Sequence, residues 1–405
     1  MRKINPRNFR RATRSTTRDV NRQILLSLVQ EHQPVSRADL ARRMGLGRGR
    51  ITNLVNSLIE EGMIYEGATA AARRGRRPTL LHIRTRDRFA VGIDVRFSRT
   101  YLTLCDFAGG QLALETFDTV FDPDELVVEL SVRIARMLDA HQARTRCEGI
   151  GLVVPGLVDR ATGRVLFSPQ LGWRDVQIRD SLARATDLPV DVENAPIACA
   201  LAHLWLGPRS PDVDSFVYLT VSDGVGAGIV VNGQVLRGQG GSAGEFGHVP
   251  ISLDGPLCLC GNRGCLEAYT SNLATLARYL GFDPSLPDTS RRLRETAFTM
   301  EDLIARARSG DEAAREALQQ SGRYLAIGLG AIVNSLNPGR IYIGGEIAEA
   351  WDVIGAEVEE AVAARVMARA AARTPITPEP GSAHPRLRGA TALIVAPLFA
   401  APQVA

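Results

Sequence analysis

Two stretches decide how the chain is read: Phe89-Ala90-Val91-Gly92-Ile93-Asp94-Val95 and, far downstream, Phe216-Val217-Tyr218-Leu219-Thr220-Val221. Each is an apolar run of strand length. The first is followed by a second run, Tyr101–Asp106, a Gly109–Gly110 turn and a third run, Gln111–Glu115. The same order returns as Val225–Val231, Asn232–Gly233 and Gln234–Leu236, with Asn-Gly predicting a type I′ hairpin turn. Two such strand units, each followed by helical sequence, predict a duplicated α/β fold with two lobes and a cleft between them. Helical periodicity follows around 123–143, 177–186, 194–206, 270–281, 300–309, 311–336 and 347–370. The polar segment 282–299, with Pro284 and Pro287, reads as a surface excursion.

In an ATPase of this duplicated kind, the first hairpin loop of each half wraps phosphate with small residues and a hydroxyl. Here the first loop is Asp94-Val95-Arg96-Phe97-Ser98-Arg99, and the second is Ser222-Asp223-Gly224-Val225-Gly226-Ala227-Gly228. Arg96 and Phe97 put bulk where the backbone has to approach closely. Asp223 adds a like charge beside phosphate. The glycines of the second loop are equally consistent with a tight turn.

Working outward to the N-terminus, the charge changes sign. The chain has 405 residues and a net charge of +4, but residues 1–88 hold 20 basic and 7 acidic side chains, a net of +13. Residues 89–405 hold 28 and 37, a net of −9. A basic head on an acidic body points to a polyanionic partner for the head. Val20, Ile24, Leu25 and Leu28 form a helical stripe closed by Pro34, and Ser36 can cap a short helix from Arg37 to Met44. Beyond Gly45, a third helix buries Ile51, Leu54, Val55, Leu58 and Ile59, leaving Arg48, Thr52, Asn53 and Asn56 outside with Arg50 on the flank. Met63–Ile83 then reads as strand, loop and strand, with Arg73, Arg74, Arg76 and Arg77 in the loop. Together these predict a winged helix-turn-helix that binds double-stranded operator DNA. Arg37, Arg48, Arg50, Thr52, Asn53 and Asn56 would serve the major groove, and Arg76 and Arg77 the wing's groove or phosphates. A basic arm at 1–17, with Arg7, Arg10, Arg11 and Arg14, would add phosphate contacts. The competing reading is a helical protein-docking module with solvated charges.

His248 and the run Cys258-Leu259-Cys260-Gly261-Asn262-Arg263-Gly264-Cys265 supply one imidazole and three thiols. That closed, soft set suits a structural Zn²⁺ held by His248, Cys258, Cys260 and Cys265. On spacing alone, unligated core cysteines remain the alternative. Six cysteines are too sparse for a disulfide framework in a chain this long, which predicts a reducing, cytoplasmic setting. No apolar run nears the roughly 18–20 residues of a membrane span, and no secretory signal is expected.

The group Glu245-Phe246-Gly247-His248, Cys258, Cys260, Gly261, Gly264, Cys265, Leu266 and Glu267 resembles the signature of the ROK family of repressors and sugar kinases. The resemblance extends through Asp94, Pro155-Gly156, Val192-Glu193-Asn194, the 222–228 loop and Asn337-Pro338…Gly344-Gly345, and covers roughly residues 88–400. The basic head and Gly75-Arg76-Arg77-Pro78 resemble the family's repressor branch. It implies a fold of the α/β class: an N-terminal winged helix-turn-helix (18–85), then a two-lobed actin-like, ribonuclease H-like sugar-binding body (88–405). It also implies effector contacts from Asn194, Glu245, His248 and Glu267. Where family kinases place the catalytic Asp after the Glu-Asn pair, this chain has Ala195. Arg96, Phe97 and Ser98 replace the Gly-Gly-Thr of the first loop, Asp223 stands for a usual Thr, and Gln170 for a common Asn. The expectation is a sensor rather than an enzyme: a homodimer or dimer of dimers that regulates carbohydrate-utilisation genes, most simply as a repressor, under control of a sugar or sugar derivative. The alternatives are a kinase with residual activity, or a regulator whose body binds a protein partner.

Overall fold

The structure, a computed structural model, describes residues 14–69, 78–206, 213–286, 288–368 and 371–399. In the head, α1 (Arg14–His32) buries Leu25, Leu26 and Val29. A two-residue strand β1 (Val35–Ser36) leads into α2 (Arg37–Met44). The Ser36 hydroxyl accepts from the Asp39 N–H at 3.2 Å, and the Asp39 carboxylate takes the Ser36 N–H at 3.3 Å, a reciprocal capping box. Gly45, at φ +63°, supplies the left-handed residue that ends α2. Helix α3 (Arg48–Glu60) then buries Ile51, Leu54, Val55 and Leu58, the stripe the sequence predicts. Strands β2 (Ile64–Thr69) and β3 (Thr79–Ile83) pair antiparallel in a sheet of order β1-β3-β2, completing a winged helix-turn-helix. Arg76 and Arg77 of the wing, and Arg7, Arg10 and Arg11 of the arm, lie outside the described residues.

The first lobe opens with β4 (Phe89–Val95), β5 (Arg99–Asp106) and β6 (Gln111–Asp118), followed by α4 (Pro123–Ala140) and β7 (Cys147–Val154). A side ribbon of β8 (Leu157–Asp159), β9 (Arg164–Ser168) and β10 (Trp173–Val176) precedes α5 (Ile178–Thr186) and β11 (Val190–Asn194). Helix α6 (Ala195–Leu206) crosses to the second lobe, which starts with β12 (Phe216–Val221), β13 (Val225–Val231) and β14 (Gln234–Val235). It continues through α7 (Glu267–Thr270), α8 (Asn272–Leu280), α9 (Thr289–Thr296), α10 (Met300–Arg308), α11 (Glu312–Leu336), β15 (Arg340–Gly344), α12 (Trp351–Ala363) and β16 (Ile376–Pro378). Helix α13 (Pro385–Phe399) returns to pack on α6, β4 and β7.

The duplication predicted from the two apolar stretches is realised strand for strand. One sheet runs β6-β5-β4-β7-β11 and the other β14-β13-β12-β15-β16. In each, three antiparallel strands meet two parallel ones. Asn232 (φ 51°) and Gly233 (φ 68°) both take the positive dihedrals of a type I′ turn. Among the described residues no helix is long and apolar enough to cross a membrane.

Three features depart from the expectation. Segment 282–299 is not merely an excursion: it contains α9, which sends Leu293 (7% exposed) into the second lobe's core. The helix expected over 347–370 is α-helical only at Trp351–Ala363, after a 3₁₀ turn at Glu346–Ala350. Helix α13 has no counterpart in the periodicity reading, and its far end reaches the head. Val395 and Phe399, with Ala90 and Phe107, share one core with Leu25, Val29, Leu40, Val55 and Ile83. Ser27 and Gln23 of α1 donate to the Phe399 and Pro397 carbonyls.

Candidate functional site

The two lobes enclose a cavity of about 750 Å³. Asn194, Glu245, His248 and Glu267 all line it, so the structure brings together the four residues read as effector contacts. Asn194 ends β11, and its Oδ1 accepts from the Ile197 N–H at 3.2 Å, capping α6 while leaving the amide NH₂ for the cleft. Glu267 is buried, and its Oε2 accepts from the Val225 N–H at 2.8 Å. Gly224 lies beneath this carboxylate: a Cβ there would stand 3.2 Å from Glu267 Oε2 and 2.9 Å from Gln170 Nε2. Burial raises the Glu245 carboxyl, and nearby Glu267 pushes the same way against His248. Gln170 also lines the cavity, and its Oε1 is buried without a hydrogen-bond partner. Such an array of carboxylates, amides and an imidazole suits a polyol.

Behind the cleft wall, one ligand atom each from His248, Cys258, Cys260 and Cys265 lies within 4.8 Å of all the others. Cys258 Sγ is 3.7 Å from His248 Nδ1, and Cys260 Sγ is 3.7 Å from Cys265 Sγ. Four ligands at the usual zinc–sulfur length of about 2.3 Å would stand about 3.8 Å apart, so the donor set fits a tetrahedral ion. None of the six cysteines is in a disulfide. Burial raises the Cys258 thiol, and it raises the Cys265 thiol to about 11, so a metal binding at neutral pH displaces protons. The loop depends on Gly264, at φ +70°, where any Cβ would strike the Ser252 carbonyl. His248 Nε2 faces the other way, 3.8 Å from Glu245 Oε2. One ring therefore joins the thiol cluster to the cleft.

On the head, Arg48, Arg50, Asn53 and Asn56 are exposed along α3, opposite its buried stripe. Thr52 is half-buried and its hydroxyl donates to the Arg48 carbonyl at 2.9 Å. Arg37 is drawn into a local network, donating to Asn56 Oδ1 at 3.2 Å and pairing with Glu66 of β2.

The ROK family profile matches residues 90–396, and that of the MarR family matches residues 23–75. The chain belongs to the ROK family. It is 31% identical over 360 residues to the xylose repressor of Bacillus subtilis, covering 88% of this chain and 89% of that one. It is 28% identical over 352 residues to the DNA-binding transcriptional dual regulator NagC of Escherichia coli, covering 85% of each. Among solved structures, a ROK family transcriptional regulator described as a homologue of E. coli Mlc superposes with a TM-score of 0.79 at 29% identity, over 95% of this chain and 97% of that one.

Several positions in the same cleft depart from the kinase pattern that the ROK resemblance implies. Ala195 (5% exposed) offers no base where ROK kinases carry a carboxylate. Arg96 occupies the first phosphate loop, donating from Nε to Asp94 Oδ2 at 2.7 Å, 3.9 Å from Glu346, with its guanidinium 4.6 Å from the Tyr101 ring centre. Arg386, at the start of α13, reaches the other Asp94 oxygen at 3.2 Å. Asn272 bridges Asp223 and Glu346, donating at 3.2 and 3.0 Å. The fully buried Asp94 carboxylate is thus paired with two arginines, while two more carboxylates, Asp223 and Glu346, line the cavity. Sequence reasoning flagged Arg96 and Asp223, but Arg386, Glu346 and Asn272 come from distant elements and carry no local signal.

Proposed function

We propose that this ROK protein is a sugar-responsive transcriptional repressor whose body reads a sugar or sugar derivative and whose winged head reads operator DNA. The observation that carries this is one cavity in which Asn194, Glu245, His248 and Glu267 offer hydrogen-bonding groups to a polyol, Ala195 stands beside them where a kinase needs its base, and Arg96 lies in the first phosphate loop paired with Asp94. A site that binds but does not phosphorylate suits a sensor. Asn194, Glu245, His248 and Glu267 hold the effector, and a zinc ion on His248, Cys258, Cys260 and Cys265 fixes the His248 ring plane. Arg48, Arg50, Thr52 and Asn53 face the major groove, with Arg37 and Asn56 beside them. Arg76 and Arg77 serve the wing. A homodimer, or dimer of dimers, would match a two-fold operator. The similarity to the Bacillus subtilis xylose repressor, and at 28% identity to an E. coli protein named as N-acetylglucosamine repressor, supports the effector class.

The test pairs a thermal-shift panel of sugars and sugar phosphates with binding to fragments of the protein's own promoter. An effector at 100 times its dissociation constant adds roughly 2.7 kcal/mol of stability. Promoter affinity changes with that same effector, and ATP with any panel sugar gives no turnover. If Arg48→Ala and Asn53→Ala leave both promoter affinity and its salt slope unchanged, the assignment of α3 is wrong.

A further inference from the structure

The loop that follows β14 carries a contact between the lobes that the proposed function does not use. Two residues past the strand, Arg237 pairs with Glu193 across the cleft edge, and Glu193 belongs to β11 of the first lobe. The Glu193 side chain is 3% exposed, so its charge must be compensated locally. Its own backbone neighbour helps: the Asn194 N–H donates to Glu193 Oε1 at 3.0 Å. A second guanidinium, Arg160 of the side ribbon, stands 3.6 Å away and also holds Asp191 at 3.0 Å. The Arg237 loop touches the first lobe again at Gly241, whose missing Cβ would lie 3.5 Å from the Val158 carbonyl. The loop is closed on itself by the Ala243 N–H donating to the Arg237 carbonyl at 3.0 Å, and it runs directly into Glu245.

We infer that Arg237 is a positioning residue for the effector: by clamping Glu193 it fixes the neighbouring Asn194 on one lobe and the loop leading to Glu245 on the other. The inference rests on the effector reading of the cleft. The two ends of the clamp lie close in sequence to effector contacts on opposite lobes, so those contacts reach their working separation only while it is shut. Opening the cleft does not strand Glu193, because Arg160 stays with it on the same lobe. The carboxylate is shared by an internal guanidinium and one from across the cleft, which lets the clamp open and close without exposing an unpaired buried charge.

Hydrogen exchange on the full chain, without added ligand, tests this in wild type, Arg237→Ala, Arg237→Lys, Glu193→Gln and the Arg237→Ala/Glu193→Gln double variant. Arg237→Ala raises exchange of segment 190–197 by about 10-fold while the lobe cores keep wild-type protection. Arg237→Lys restores most of it, and the double variant exchanges no faster than the faster single one. The same proteins are then titrated with D-xylose and N-acetyl-D-glucosamine. A sugar that binds wild type loses about 10-fold in affinity in Arg237→Ala and recovers in Arg237→Lys. If neither sugar binds wild type, the effector reading suffers and the exchange comparison still decides the clamp. Wild-type exchange at 190–197 in Arg237→Ala would overturn the inference, and that variant suffices should Glu193→Gln fail to fold.

Discussion

Asp223 carries a carboxyl that burial, reinforced by the like charge of Glu346, holds above the ordinary aspartate value of 3.8. The sign of its effect on stability follows. A carboxyl that is harder to ionise in the folded chain than in the unfolded one leaves the fold unpenalised below the unfolded value. It penalises the fold increasingly as pH rises through the folded value. Asp223→Asn is therefore expected to melt above wild type at pH 7, with the difference vanishing below about pH 4, in parallel pH–melting profiles. The thiol cluster yields a second expectation at this scale. Purified protein should carry one zinc per chain by elemental analysis, and Cys258→Ala should carry none and melt several degrees lower. Chelation of wild type should reproduce that loss and, if His248 serves both sites as proposed, weaken sugar binding as well.

At the scale of elements, the head offers the cleanest substitutions. Gly49 is exposed in the first turn of α3, where an added Cβ would meet nothing within 4 Å and φ is not positive. Gly49→Ala should stabilise the chain by about 0.5–1 kcal/mol, whereas Ser36→Ala, which removes the cap of α2, should cost about 1 kcal/mol, both read from denaturant midpoints. The elements also show what a sequence can and cannot disclose. Strands β4, β12 and β13 match their expected bounds to the residue, because each is an apolar run closed by turn residues. The thiol cluster is legible because its three cysteines sit in one short loop. Helix α13 is not legible: Leu387, Gly389, Ala390, Thr391, Ala392, Leu393, Val395 and Ala396 are all buried, so no amphipathic stripe survives, and Pro385 and Pro397 flank the pattern. Helix α9 fails for the opposite reason, with Leu293 nearly alone among polar residues. Pairings such as Arg96 with Glu346 or Arg237 with Glu193 join residues far apart in the chain and need the folded lobes to be seen.

For the whole molecule, the charge split into a +13 head and a −9 body gives way to a more connected picture. Helix α13 starts at the cleft, where Arg386 holds Asp94, and ends in the head, where Phe399 is 1% exposed. Phe399→Ala should open a cavity there and cost about 3–5 kcal/mol, seen as faster exchange of the Leu25–Val29 amides with second-lobe amides unchanged. The shared core also bears on how the protein is made. Synthesis runs from the N-terminus, so the helices of the head leave the ribosome long before the side chains that finish their core, which are encoded at positions 395 and 399. A nascent chain therefore carries an incomplete reader until α13 has been made, and a product cut short before it lacks the residues that finish that core. Competence to occupy a promoter becomes, in effect, a certificate that the body has been made through to α13.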